Sequence, residues 1–500
     1  MKMASWILTI VGLIGSAALA DPPLWLVIGD EAFVPEMERL ASYRKQQGLD
    51  VAVRQGLSVV AALAAVSRQP NYIVLVGDDL VGLGEAPDLV LSASRRSLYR
   101  WRATQAETFA SDSVFGDFDE DGIPEVPVGR IPARSPEQLA LVINKIIAFE
   151  QKSISLADLS IPVWAGNPNY GDAFQANMAS NLLRQTLQAE APRWADLWLM
   201  MGSASDPLAG VARAQVEWFN DRVSRGGTIV GMMGHGGVDA FYSMLHAGQW
   251  ITYHTGSVPA GKISVSSSPA PPAVLFTCDC ANFANGEVSL GEAMLFSQSG
   301  PVAAIGATTQ SHPLPNYYSS VSLLRALSSG ENRLGDMWVE TQREGYGMRN
   351  ALVEMFLKNV EGKLEAKLDT PRIRRDHLQL YALLGDPATK LRLPQKLAMT
   401  WENKNNQGRW SIPKVDGAKR LEIGYRDLIG NFMPRTKPVS DVQARKEFDE
   451  ANARLQFKSM KMLTPKEPWS GTLKEVGSYR FVVHLDVGLA CAAQLLKRDT

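Results

Sequence analysis

The chain has 500 residues and a formal charge of −1, with 45% apolar and 21% charged side chains. That size accommodates several domains around a large core, and that balance is the one of an ordinary folded protein. Near-neutral charge, with no basic stretch interleaved with aromatics, gives no pull toward nucleic acid, and past the N-terminus no run reaches the roughly 18 apolar residues of a bilayer span.

In chain order, Lys2, the apolar run Trp6 to Leu13 and the small-x-small sequence Ala18-Leu19-Ala20 predict a signal peptide over residues 1–20, with an exported chain starting at Asp21; a buried first helix is the alternative. Residues 21–155 then alternate strands and helices. PLWLVIGD, Val51 to Arg54 and YIVLVG are strands; Glu36 to Gln47 and Val59 to Ala65 are helices. Leu80 to Ala110 is irregular and is placed at the strand ends. A short strand, Val126 to Ile131, precedes a helix capped by Ser135 that runs through Glu150. Residues 156–394 repeat the alternation, with strands at IPVWAG, Leu197 to Met201, Thr228 to Met233, Ala273 to Phe276 and GPVAAIG. Helices are predicted over Phe174 to Ala189, Ala209 to Arg225, after the capping box Ser289-Leu290-Gly291-Glu292, and over Leu334 to Val360. Such alternation predicts an α/β fold with a parallel sheet. Over residues 395–500 the pattern turns to aromatic and β-branched alternation, which predicts a small β-sandwich, with the charged stretch Ala444 to Lys461 as helix or loop within it.

Two strands end in reactive groups. Thr228 to Met233 runs into Gly234-His235-Gly236-Gly237, and Ala273 to Phe276 runs into Thr277-Cys278-Asp279-Cys280. Ligands bind at the carboxyl ends of such strands. An imidazole and a thiol there are the base and nucleophile of covalent catalysis, and the Gly236 and Cys278 N–H groups are candidate oxyanion donors. Cys280 is the rival nucleophile, since strand alternation puts both sulfurs on one side. Zinc held by Cys278, Asp279, Cys280 and His235 is a further reading, with a spacing unlike the usual C-x₂-C. The chain has three cysteines, an odd number, so at least one thiol is free in an exported protein. The alternating carboxylates Asp117, Asp119 and Asp121 before Gly122 resemble the start of a calcium loop; the usual bidentate glutamate position is Val128, and Glu125 is the substitute. An ordinary acidic turn is the alternative.

These segments together resemble the gingipain-type cysteine peptidases, whose core fold is shared with caspases. The resemblance rests on PLWLVIGD, YIVLVGD, SDSVFGDFDEDGIPEVPVGRIPAR, GHGG, TCDCANF followed by SLGEAMLFSQSGPVAAIGATT, and YALLGDPATKLRL, in that order. It implies a caspase-like three-layer catalytic region in two subdomains, followed by an all-β immunoglobulin-like sandwich. It implies a thiol endopeptidase with His235 as general base and Cys278 as nucleophile, acting on protein or peptide substrates; no cofactor is required, and the calcium that the acidic loop suggests is a structural ion. Asp172 matches the acidic pocket residue of arginine-specific members, which implies Arg or Lys at P1. Gln310-Ser311-His312 matches a pocket-wall segment, with His312 where those members carry Trp. Asn167 lies where a partner of the imidazole is expected. The competing readings are a sorting or processing peptidase or transpeptidase, and a scaffold that keeps the fold without catalysis.

Overall fold

A computed structural model describes residues 21–79, 93–168, 173–259, 269–361 and 369–497. The expected signal peptide lies outside them. In the first half, β1 (Leu24–Gly29), α1 (Val34–Gln46), β2 (Asp50–Gln55), α2 (Val59–Ala64) and β3 (Tyr72–Val76) lead to a hairpin of β4 (Ala93–Arg96) and β5 (Thr108–Ser111), then to β6 (Val128–Ile131) and α3 (Pro136–Gln151). The second half holds β7 (Ser160–Ala165), α4 (Ala173–Glu190), β8 (Asp196–Met201), α5 (Gln215–Ser224) and β9 (Val230–Met233). It continues through a small sheet of β10 (His235–Gly236), β11 (Ala240–His246) and β12 (Gln249–His254). Next come β13 (Ala273–Phe276), α6 (Leu290–Phe296), β14 (Ala304–Ala307), α7 (Pro313–Ser329), α8 (Leu334–Gly347), α9 (Ala351–Glu361), α10 (Thr370–His377) and β15 (Tyr381–Leu384).

Ten strands make one sheet in the order β2-β1-β3-β6-β15-β14-β13-β9-β7-β8. Every adjacent pair is parallel except β14 with β15. The two expected subdomains therefore share a continuous sheet, each half parallel within itself, and their strands terminate on opposite edges. The boundary near residue 155 is crossed by β15, which comes last and pairs with β6 of the first half, Leu383 against Gly129. Asp386, just after β15, fastens this insertion: it accepts from Trp25 Nε1 at 3.1 Å and from Arg44 Nε at 2.8 Å, and Arg44 also pairs with Glu150 at 2.8 Å, all buried.

The strands are apolar on both sides because helices cover both faces. Ile161, Val163, Leu197 and Leu199 pack on the side of α4, α7 and α8, and their neighbours Trp164, Trp198 and Met200 pack on the side of α5 and α6. This is the period of two that a strand imposes. The first half is layered likewise, with α1 and α3 on one face and α2 on the other.

Beyond Leu393 the chain forms β16 (Gln395–Lys396), β17 (Thr400–Lys404), β18 (Gln407–Ser411), β19 (Ala418–Arg426), α11 (Asp441–Ala453), β20 (Lys458–Leu463), β21 (Ser470–Leu473), β22 (Gly477–Leu485) and β23 (Leu489–Leu496). Five of these strands form one sheet and three another, around Trp410, Leu421, Tyr479 and Phe481. Of the two readings of the charged stretch Ala444 to Lys461, helix or loop, its first part is helix: it belongs to α11, which Ser440 caps by accepting from Gln443 N. The buried faces of α11 lie against β8, where Asn452 accepts from Leu199 N at 2.8 Å and donates to Leu199 O at 3.1 Å.

Candidate active site

In β9 and β13 Met233 is in register with Phe276, and the bond from Gly234 N to Phe276 O, 3.3 Å, prolongs the pairing. His235 and Cys278 each follow these paired residues by two positions. Neighbouring strands lie about 4.8 Å apart, so the register brings both residues to the same sheet edge. Both line a single cavity of about 130 Å³.

The backbone around them is tightly constrained. Gly237 N donates to Ala240 O at 2.8 Å, closing the turn between β10 and β11. A Cβ at Gly236 would lie 2.9 Å from Cys280 Sγ and 3.0 Å from Cys278 O, so only glycine lets this strand approach the cysteine loop so closely. Asp279 adopts φ 57°, a left-handed conformation uncommon for a residue with a side chain. The loop is held there by Asp279 N on Thr309 O at 3.1 Å, Ala281 N on Ala307 O at 3.0 Å and Gly291 N on Cys280 O at 2.7 Å.

That left-handed residue overturns the expectation that the two sulfurs share a side. Cys278 faces the cavity and donates to Ser311 O at 3.5 Å. Cys280 is fully buried and donates to Gly237 O at 3.3 Å and Ala240 O at 3.6 Å. Burial pushes the Cys280 thiol up to about 12, so it stays protonated. With the sulfurs turned apart, a zinc site spanning both is not formed.

His235 Nε2 lies 2.8 Å from Pro168 O. A carbonyl only accepts, so Nε2 carries the hydrogen and Nδ1 holds the basic lone pair. The orienting group is thus the Pro168 carbonyl, which composition gave no way to find, while Asn167 donates its own N–H to Ser243 O. Burial lowers the His235 pKa from its ordinary 6.5, with Arg102 adding to the effect and Pro168 opposing it. Burial raises the Cys278 thiol, opposed by the bond to Ser311 and by Arg102. Both shifts favour a neutral thiol beside a neutral imidazole at rest. Trp101, Arg102 and Ser311 also line the cavity, and the Arg102 guanidinium lies 4.4 Å over the Trp101 ring.

The expected pocket residues fare differently. Asp172 lies outside the described residues. His312 is fully buried: its Nδ1 accepts from Leu314 N at 3.1 Å as the cap of α7, and the edge of Trp101 packs on it at 4.9 Å. Gln310 donates to Thr104 Oγ1 at 3.3 Å. Neither lines the cavity; Ser311 between them does.

In the acidic loop, Asp117, Asp119, Asp121 and Glu125 bring ligand oxygens within 4.8 Å of one another. Part of this closeness is local hydrogen bonding, as Gly122 N donates to Asp117 Oδ2 at 2.9 Å and Phe118 N to Glu125 Oε2 at 2.8 Å. Arg343 lies 3.8 Å from Glu125, and Arg375 donates to Asp121 O. Asp117 Oδ1 is buried without a hydrogen-bond partner, and burial raises its pKa.

Among the described residues, no helix is long and apolar enough to cross a membrane. The fold is similar to solved structures of gingipain. The Arg-specific cysteine proteinase gingipain R (RgpB) aligns with a TM-score of 0.53 at 14% identity, over 95% of this chain and 98% of that one. The complex of Porphyromonas gingivalis RgpB pro- and mature domains aligns with a TM-score of 0.52 at 14% identity, over 95% and 100%. No curated protein matches the chain. Residues 18–392 match the model of peptidase family C25, a span that contains both halves of the ten-stranded sheet and the two strand ends bearing His235 and Cys278. On that match the chain belongs to peptidase family C25 and is a cysteine-type endopeptidase.

Proposed function

We propose that the chain hydrolyses peptide bonds with Cys278 as nucleophile and His235 as general base. The observation that carries this is one cavity bounded by both groups at the ends of adjoining parallel strands. Nδ1 of His235 takes the thiol proton as sulfur bonds to the substrate carbonyl carbon, whose oxygen becomes an oxyanion. The carbon–nitrogen bond then breaks and the amine leaves with the proton from His235. Water, deprotonated by the same ring, attacks the thioester, and the thiol re-forms. The N–H groups of Gly236 and Cys278 are the oxyanion donors of this scheme. Antiparallel alternation supports Gly236: with Gly237 bonded to Ala240, the Gly236 N–H points away from β11.

We also propose three features around that core. The chain is exported, with residues 1–20 removed before Asp21. The acidic loop binds calcium through Asp117, Asp119, Asp121 and Glu125. The C-terminal sheets are immunoglobulin-like, a reading supported by Tyr479 OH on Glu475 O at 2.7 Å, a bond back to the preceding corner of the kind found in such sandwiches. A preference for Arg or Lys at P1 rests on Asp172 alone, and the described cavity wall argues against it.

The test is turnover of a fluorogenic peptide library by purified chain from Asp21, with Cys278→Ala and His235→Ala variants. Hydrolysis by native protein that both variants lose is expected. Equal hydrolysis by native and Cys278→Ala protein would falsify the proposal.

A further inference from the structure

The cavity beside Cys278 is deep and carbon-walled. Leu182 and Leu183 of α4, Met233 of β9, Tyr317 of α7, and Val353 and Leu357 of α9 face it. No carboxylate is present among its described lining residues. Asn316, the amide in the wall, is 6% exposed and already committed, donating to Ser311 Oγ at 2.9 Å and accepting from Tyr381 OH at 2.7 Å. The one formally charged side chain among the described lining residues is Arg102, a cation, whose field reaches both Cys278 and His235.

We propose that this cavity is the pocket for the substrate side chain on the acyl side of the scissile bond, and that it selects large apolar residues, leucine, methionine or phenylalanine. The inference rests on the Cys278 peptidase reading and adds the substrate class. The residue whose carbonyl is attacked sits nearest the sulfur, so the enclosed space opening at the sulfur receives its side chain. Its about 130 Å³ compares with apolar cavities of about 150 Å³ that stay dry and take up a benzene ring. A lysine or arginine head in the same space gives up its water without a described counter-charge and meets Arg102 at the entrance. An apolar side chain meets neither penalty.

A library varied only at the acyl-side residue tests this on the full chain from Asp21. Leucine, methionine or phenylalanine is expected to exceed arginine and lysine in kcat/KM by roughly tenfold or more. Cys278-dependent cleavage confined to arginine and lysine overturns the inference while leaving the peptidase reading intact, and its loss in Asp172→Ala would identify the missing carboxylate. Absence of Cys278-dependent cleavage of every member sinks the peptidase reading and this inference together. A second variant checks the location. Asn316→Asp is nearly isosteric, keeps an acceptor for Tyr381 OH, and lets Ser311 Oγ turn to donate. Where circular dichroism shows native structure, it is expected to raise the arginine-to-leucine ratio roughly tenfold. An unchanged ratio in the folded variant means that side chain binds elsewhere and overturns the assignment.

Discussion

Two cysteines one residue apart have opposite fates because a single residue between them is left-handed. Cys278 opens onto the cavity, and Cys280 is sealed beneath the β10–β11 turn. Cys278→Ala is expected to cut kcat/KM at least about 10⁴-fold. Cys280→Ala should retain most activity and lose about 1 kcal/mol of stability; the two measurements on one preparation decide which sulfur is the nucleophile. The proton balance gives a second prediction. Since burial lowers the His235 pKa, the neutral base persists below the ordinary 6.5, and the acid limb of kcat/KM against pH should have its midpoint under that value. A midpoint above 6.5 would mean a stabilised imidazolium, contrary to this site. His235 and Cys278 were legible in the sequence because each ends a short apolar strand beside turn-forming residues. Pro168, Trp101, Arg102 and Ser311 were not, because nothing local in loops far apart in sequence records that they converge. His312 was misread for the same reason: its neighbour Ser311 reaches the cavity, while the ring turns back to cap α7.

The helix that this ring caps shows why elements can be invisible in sequence. Most strands and helices of the sheet were legible from apolar runs, caps and glycines, whereas α7 gave no signal. It opens on Pro313-Leu314-Pro315, and buried residues surround nearly its whole circumference, so the one-sided pattern that marks a surface helix is absent. Its start depends on His377 of α10, whose Nε2 accepts the His312 N–H at 2.7 Å while Nδ1 bonds Ile373 O at 2.8 Å. This arrangement requires a neutral ring, and burial pushes its pKa to about 3. The unfolded ring takes a proton near 6.5 and the folded one does not, so stability complete at neutral pH declines as pH falls from there toward 3, by about 5 kcal/mol in all. Urea unfolding at pH 7, 5 and 4 should show this slope in the native chain and lose it in His377→Gln; parallel slopes would assign the acid sensitivity to other groups. The acidic loop gives a cation prediction. Calcium should raise the melting temperature of the native chain and leave Asp119→Ala/Asp121→Ala unchanged, and a native chain indifferent to calcium and chelator would make the loop an ordinary turn.

At the scale of the molecule, β8 is the last strand of the sheet on the side of β9 and β13, and the C-terminal region completes it. Asn452 presents an amide to Leu199 as a neighbouring strand would, Leu455 O accepts from Leu197 N at 3.2 Å, and Arg480 pairs with Asp196 at 2.9 Å. Covering an edge this way prevents pairing with other chains. Asn452→Ala leaves both Leu199 backbone groups buried and unpaired and should cost about 3 kcal/mol by chemical denaturation; a neutral effect would mean that water replaces the amide. That docking was hidden in the sequence, where the segment reads as a charged helix or loop and nothing local says what it packs against. So was the position of β15, an unremarkable apolar segment whose place between β6 and β14 is fixed by partners some 250 residues and some 80 residues earlier. Its late arrival affects how the enzyme is made. A ribosome halted before Tyr381 releases two ladders with open flanks and a gap where they should meet. Until β15 is in place, the ladder β2-β1-β3-β6 and the ladder β14-β13-β9-β7-β8 have no strand between them, so the two halves of the sheet are joined last.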